Sequence, residues 1–158
     1  MDPSHVLLLA FLIGVLAGLR ALTAPAIVAC AARLKWINLR GSLLSFMGST
    51  AAVAVFVVLA VGELVADKLP LTPSRLKPPG LIARFVLGGL SGAGVAVAGG
   101  QSLVTGAILG AAGGIAGAFA GYRIRTGLVK AFKVPDFVIA LLEDTLAIAG
   151  GLFIVSRF

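Results

Sequence analysis

Residues 14–23 read GVLAGLRALT, and residues 117–126 read GAFAGYRIRT. Both fit the pattern G-x-x-A-G-x-R-x-x-T, and each sets an arginine inside an otherwise apolar run. Repetition within a chain reports its architecture before any single residue does. An arginine at bilayer depth costs at least ~2.5–3.5 kcal/mol unless it is paired or hydrated. Its recurrence in a matched context therefore marks Arg20 and Arg123 as the centre around which the chain is organised, with Thr23 and Thr126 one turn further on.

The surroundings of the two copies set the solvent. Of the 158 residues, 59% are hydrophobic and only 12% are Asp, Glu, Lys or Arg, with a mean hydropathy of +1.12. That charged share is about half the usual one for a soluble domain. Several apolar runs are long enough to cross a hydrocarbon core, which needs about 20 apolar residues. The fold class expected is an all-α, polytopic integral membrane protein forming a single domain over residues 1–158. The net charge of +7 sits at the ends of apolar runs, which points to membrane lipid headgroups rather than to nucleic acid. Met1–His5 carry no Lys or Arg, so the start does not read as a secretory signal. One cysteine, Cys30, and one histidine, His5, give no disulfide within the chain, no metal set and no implied cofactor. Cys30 reads as a small buried packing residue.

Asp2 and Pro3 suit a helix start, and the first helix is expected over about His5–Gly18. Pro25 cannot sit in a helix interior without loss of a hydrogen bond and a clash with the preceding turn. A kink or break is therefore expected at Leu22–Pro25, with a short helical piece over Ala26–Lys35. Trp36 between Arg33, Lys35 and Arg40 reads as interfacial. Further helices are expected over Leu43–Leu69, Leu81–Ala98, Leu103–Gly121 and Pro135–Val155, with a proline-rich loop at 70–80. The glycines at 106, 110, 113, 114, 117 and 121 follow helical spacing, as do those at 88, 89, 92 and 94. They predict close helix packing rather than a phosphate cradle.

A fainter match joins VGELVAD at 61–67 to VIALLED at 138–144, pairing Asp67 with Asp144. Two unequal repeat halves result, about 5–69 and 103–156, joined by the loop 70–80 and the helix 81–98. With three spans before the second copy, about five membrane segments follow and the halves are inverted, as in many transporters. Counting loops puts Lys68, Arg75, Lys77, Arg84, Arg123, Arg125, Lys130 and Lys133 against Arg20, Arg33, Lys35, Arg40 and Arg157. That bias favours an inside N-terminus and an outside C-terminus, and leaves the reverse, or dual topology, open. Arg125, matched by Leu22 in the first copy, reads as an interfacial anchor.

The candidate substrate- or ion-binding set is Arg20, Thr23, Arg123, Thr126, Glu63, Asp67, Glu143 and Asp144. If both copies unwind at Arg-x-x-Thr, helix N-termini with Arg and Thr suit an anionic group, and the acidic residues suit a proton or cation. A small transporter or channel-like protein, with an unknown small ion or solute as its partner and a homo-oligomeric state, is the leading expectation. The rival is a structural or accessory membrane protein whose charges are ion pairs that hold the fold. No enzyme is expected: adjacent carboxylates such as Glu143 and Asp144 point about 100° apart on a helix, and no catalytic residues stand out.

AGLRALTAPAIVACAARL at 17–34, GELVADKLP followed by TPSR at 62–75, GAFAGYRIRTGL at 117–128 and VPDFVIALLEDTLAI at 134–148 together resemble the bacterial domain-of-unknown-function 4126 family. The resemblance covers nearly the whole chain. It implies a small multi-pass protein of the bacterial inner membrane and carries no settled activity with it.

Overall fold

The computed structural model describes residues 1–68 and 76–158, so most of the loop expected at 70–80 lies outside the described residues. The described residues form six α-helices: α1 (Pro3–Leu19), α2 (Thr23–Arg33), α3 (Thr50–Ala66), α4 (Pro78–Ala98), α5 (Leu103–Phe132) and α6 (Asp136–Val155). A short 3-10 turn, Ser45–Gly48, precedes α3. There is no strand among the described residues.

Three helices, α4, α5 and α6, are long and apolar enough to cross a membrane, with 21, 30 and 20 residues. α1 and α3 are shorter apolar helices of 17 residues each and α2 has 11, so length and composition match three of the about five membrane segments expected. The outer faces carry Val58, Val104 and Ile108, all well exposed. Large aliphatic side chains exposed on several helices suit hydrocarbon better than water.

The first helix ends earlier than its proline. Asp2 caps α1 by accepting from the Ser4 N–H at 2.8 Å. α1 then stops at Leu19, and α2 begins at Thr23, which puts Pro25 in the first turn of α2. There its missing N–H would have had no partner anyway. Continuing α1 through this point would have placed the ring of Pro25 against the carbonyl of Ala21, so the chain yields one turn before the proline.

The break is a full reversal. Along α6, Arg20 reaches Asp144, Leu16 packs on Gly150, and the start of α1 lies beside Phe153 and Arg157. α2 retraces that path, with Ile27 packed on Gly151. α1 and α2 thus form a hairpin that enters and leaves from one end, with Arg20–Leu22 at its tip. α3 runs back toward the tip, since Gly48 lies against Ala32 while Glu63 reaches Ala21 and Leu22.

This extra reversal changes the relation between the motif copies. Gly14 meets Gly110, Gly18 meets Gly114, and Val15 meets Gly117. Numbers rise together along both helices, so α1 and α5 run parallel. The inverted relation expected of these two helices is corrected: four reversals separate them, not three. The termini also share an end, because Met1 and His5 line a cavity with Phe153 and Arg157, where opposite ends were expected.

α1, α4 and α5 make the tightest contact in the molecule. A Cβ on Gly18 would lie 2.5 Å from the carbonyl oxygen of Gly114, and one on Gly92 would lie 2.5 Å from that of Gly106 and 2.6 Å from the Cα of Gly110. Backbones this close gain dispersion contact that larger residues would prevent, which in lipid is a main source of helix association.

Residues 34–49 join α2 to α3 and differ from the helix expected from Leu43. Leu43 lies in a turn, and α3 starts only at Thr50, where Ser49 caps it by accepting from the Ala52 N–H at 3.1 Å. Ile37, Leu39, Leu44 and Met47 are buried and hold this connection to the core.

Candidate functional site

Arg20 is 1% exposed and sits at the hairpin tip. Its C-cap position ends α1, and the chain reversal turns its side chain toward α3 and α6. Nη1 lies 2.6 Å from Asp67 Oδ2, Nε donates to Asp144 Oδ1 at 2.6 Å, and Nη2 lies 3.8 Å from Glu143 Oε2. Nη2 also reaches the Ala140 carbonyl at 3.4 Å. Asp144 is eight residues into α6, which places it about 12 Å below that end. The planar fork of a guanidinium suits such a multi-carboxylate partner set better than an ammonium would.

Glu63 does something different. Both of its carboxylate oxygens accept from the backbone, Oε1 from Ala21 N–H and Oε2 from Leu22 N–H, each at 2.8 Å. These are amides freed by the break, and a carboxylate there also meets the positive end of α2. The hairpin tip is therefore fastened twice, by Arg20 to Asp67 and Asp144, and by its own amides to Glu63.

Asp67 Oδ2 accepts from two guanidinium groups, Arg20 at 2.6 Å and Arg125 at 2.7 Å. Arg125 also donates to Glu143 Oε2 at 3.2 Å and to Asp136 Oδ1 at 2.8 Å. Lys68 Nζ donates to Asp144 Oδ2 at 2.6 Å. The cluster thus links the tip of the hairpin, the end of α3, α5 and α6. Arg84, buried on α4, donates to the carbonyls of Gly18 at 2.9 Å and Gly80 at 3.0 Å. A cation there complements the carbonyl end of α1.

Of the residues the sequence singles out, Arg20, Asp67, Glu143 and Asp144 come together, and Glu63 stands beside them as a cap. Thr23 is 4% exposed, and its Oγ1 has no hydrogen-bond partner among the described residues. Arg123 and Thr126 stand elsewhere. α5 runs unbroken through the second motif copy, which has Leu128 where the first has Pro25. Arg123 is exposed, and the Thr126 hydroxyl donates to the Tyr122 carbonyl at 2.8 Å. The unwinding expected of this copy is corrected for that reason.

Arg125, read from sequence as an interfacial anchor, is the arginine that α5 contributes to the cluster. A signal for it was present. The buried glycines at 110, 114, 117 and 121 trace one face of α5, and one more turn from Gly121 arrives at 125. Aligning the two motif copies instead equated Arg20 with Arg123, which points away. Asp136, Lys68 and Arg84 are the other participants that sequence reasoning passed over. Cys30 is half-buried and lines an apolar cavity with Thr23, Ile27, Val61 and Leu64. Among the described residues no three His, Cys, Asp or Glu side chains are placed to hold a metal ion.

A family model for a domain of unknown function, DUF4126, matches residues 7–156. The chain belongs to the DUF4126 family. Every residue of the charge cluster in this DUF4126 chain lies inside the matched span. No curated protein and no solved structure is detectably similar to it.

Proposed function

We propose that this DUF4126 chain is a small multi-pass membrane transport protein, placed in the bacterial inner membrane, with the charge cluster as its proton- or ion-coupled site. The observation that carries the reading is Arg20: a guanidinium 1% exposed at the tip of a broken helical hairpin, shared between carboxylates on two different elements. Broken helices and interior charges are where membrane transporters keep their sites. Asp67 is the pivot of the reading. Protonating it weakens the bridge between Arg20 and Arg125 and leaves Arg20 held to α6 through Asp144. The tip of the hairpin then loses one of its two attachments to α3 and keeps the other, Glu63. The buried, unpartnered Thr23 hydroxyl beside the tip supplies a polar step for a passing ion or water.

The second reading, a structural or accessory protein, is favoured by one observation: Arg20 is fully engaged by Asp67, Asp144 and the Ala140 carbonyl. The two readings separate on Arg20→Lys and Arg20→Ala. Proton flux is followed with a trapped pH dye in proteoliposomes, per folded molecule. Under the transport reading, Arg20→Lys folds and loses flux, because a single ammonium cannot hold both carboxylates. A folded Arg20→Lys with wild-type flux removes the transport assignment. An Arg20→Ala that loses about 3–5 kcal/mol of stability, with flux per folded molecule intact, supports the structural reading instead.

A further inference from the structure

The connection between α2 and α3 carries a second polar feature, at the opposite end from the charge cluster and independent of the transport reading. A cavity of about 490 Å3 opens there, and Arg33, Lys35, Arg40, Asn38, Ser45 and Ser49 are among the residues lining it. None of its three cations is ion-paired among the described residues. Their backbone is nonetheless held in place. Ile37 and Leu39 are buried between them, and Leu44 and Met47 are buried on either side of the lining residue Ser45 in sequence.

Lys35 stands where a glycine is usual. α2 ends with Trp36 N–H donating to Ala31 O at 2.9 Å and Lys35 N–H donating to Ala32 O at 3.3 Å. This is the Schellman arrangement, whose left-handed residue is most often glycine. Lys35 takes it at φ 63°. A β-carbon in that conformation is unfavourable, so the position tolerates strain while placing an ammonium at the cavity.

The same connection also exposes large apolar side chains. Leu43 is 85% exposed, with Leu34, Trp36 and Phe46 also exposed. Three cations with no ion pair among the described residues, serine hydroxyls and an amide lining the cavity, and large exposed apolar side chains on the same stretch of chain suit a ligand with an anionic head and hydrocarbon tails. Tryptophan at the edge places the site at headgroup level. We propose that this cavity binds the phosphate of an anionic phospholipid, with its acyl chains lying against Leu43 and Phe46. Arg33, Lys35 and Arg40 hold the phosphate, and Ser45 and Ser49 donate to it.

The test uses the full chain purified in a neutral detergent, with phosphatidylglycerol, phosphatidylcholine and inorganic phosphate as separate probes. Binding is read by native mass spectrometry and by the thermal shift. The variant is Arg33→Gln/Lys35→Gly/Arg40→Gln, in which Lys35→Gly preserves the left-handed turn. Lys130→Gln/Lys133→Gln, at the other end of the molecule, is the control. The expected result is that phosphatidylglycerol binds and raises the melting temperature of the wild type and the control. Each cation removed should weaken binding roughly fivefold, and all three about a hundredfold, from the usual headgroup attraction per charge. Retention of phosphatidylglycerol by the triple variant would overturn the proposal, as would equal losses in the triple variant and the control. Stabilisation by inorganic phosphate equal to that by phosphatidylglycerol would overturn the lipid assignment. If the triple variant fails to fold, Lys35→Gly alone is read for its fivefold loss.

Discussion

Alanine at Gly110 should be among the most damaging one-methyl changes in this protein. A Cβ built there overlaps the Gly88 carbonyl oxygen and lies 2.8 Å from the Cα and 3.0 Å from the nitrogen of Gly92. All three are backbone atoms of α4, so no rotamer change relieves the contact. α4 must move away from α5 by several tenths of an ångström or more along their shared length. The opposite side of Gly110 is also occupied, because its own carbonyl lies where a Cβ on Gly14 would go. Overpacking of this kind typically costs 1–3 kcal/mol, and separation of two backbones places Gly110→Ala at the upper end, about 3 kcal/mol. Gly127 lies on the same helix with nothing within 4 Å of its Cβ position. There alanine relieves the entropic weakness of a helical glycine, for a gain of up to about 1 kcal/mol. Unfolding of both variants in mixed micelles, followed by circular dichroism across a denaturing-detergent series, gives the two changes on one scale. A Gly110→Ala protein within about 0.5 kcal/mol of wild type, the ordinary range for an uncrowded surface change, would refute the packing argument.

Glu63→Ala should leave the Ala21 and Leu22 amides without their acceptor and lower stability by about 2–4 kcal/mol, whereas Glu63→Gln keeps an acceptor and should lose less. The same unfolding series checks both. Arg125→Ala should lose about 3 kcal/mol, because it removes one partner from Asp67 and Glu143 in a partly buried cluster. Arg123→Ala should change stability by less than about 0.5 kcal/mol; equal losses from the two would return the second motif copy to the centre. In a Cys30→Ser background, single cysteines at Ser4 and Ser156 should label with an impermeant thiol reagent from one side of the membrane, and one at Lys130 from the other. Labelling of the two termini from opposite sides would contradict the hairpin.

Several things were legible from residue types alone. Composition and apolar run length carried the all-helical character, because the hydrocarbon solvent constrains a spanning backbone so strongly. Helical glycine spacing carried the close packing of the 81–98 and 103–121 segments. A charged residue in an apolar run is costly wherever it lies, so Arg20, Asp67, Glu143 and Asp144 could be picked out without knowing their partners. Pro25 announced an interruption for the same kind of local reason, a missing N–H and a ring with nowhere to go.

Tertiary structure decided the rest. A proline break is compatible with a kink or with a reversal, and only the packing of Leu16 and Ile27 on adjacent glycines of α6, with Glu63 capping the freed amides, selects reversal. That one choice made α1 and α5 parallel and brought the termini to the same end. It also decided which arginine of the second copy matters. Motif alignment compares positions in a string, whereas Arg123 and Arg125 stand about 200° apart around a helix, and the face already filled by glycines admits only Arg125. Arg20 meets carboxylates 47 to 124 residues away through this geometry, and nothing in the local sequence encodes a contact whose energy exists only after the helices have packed.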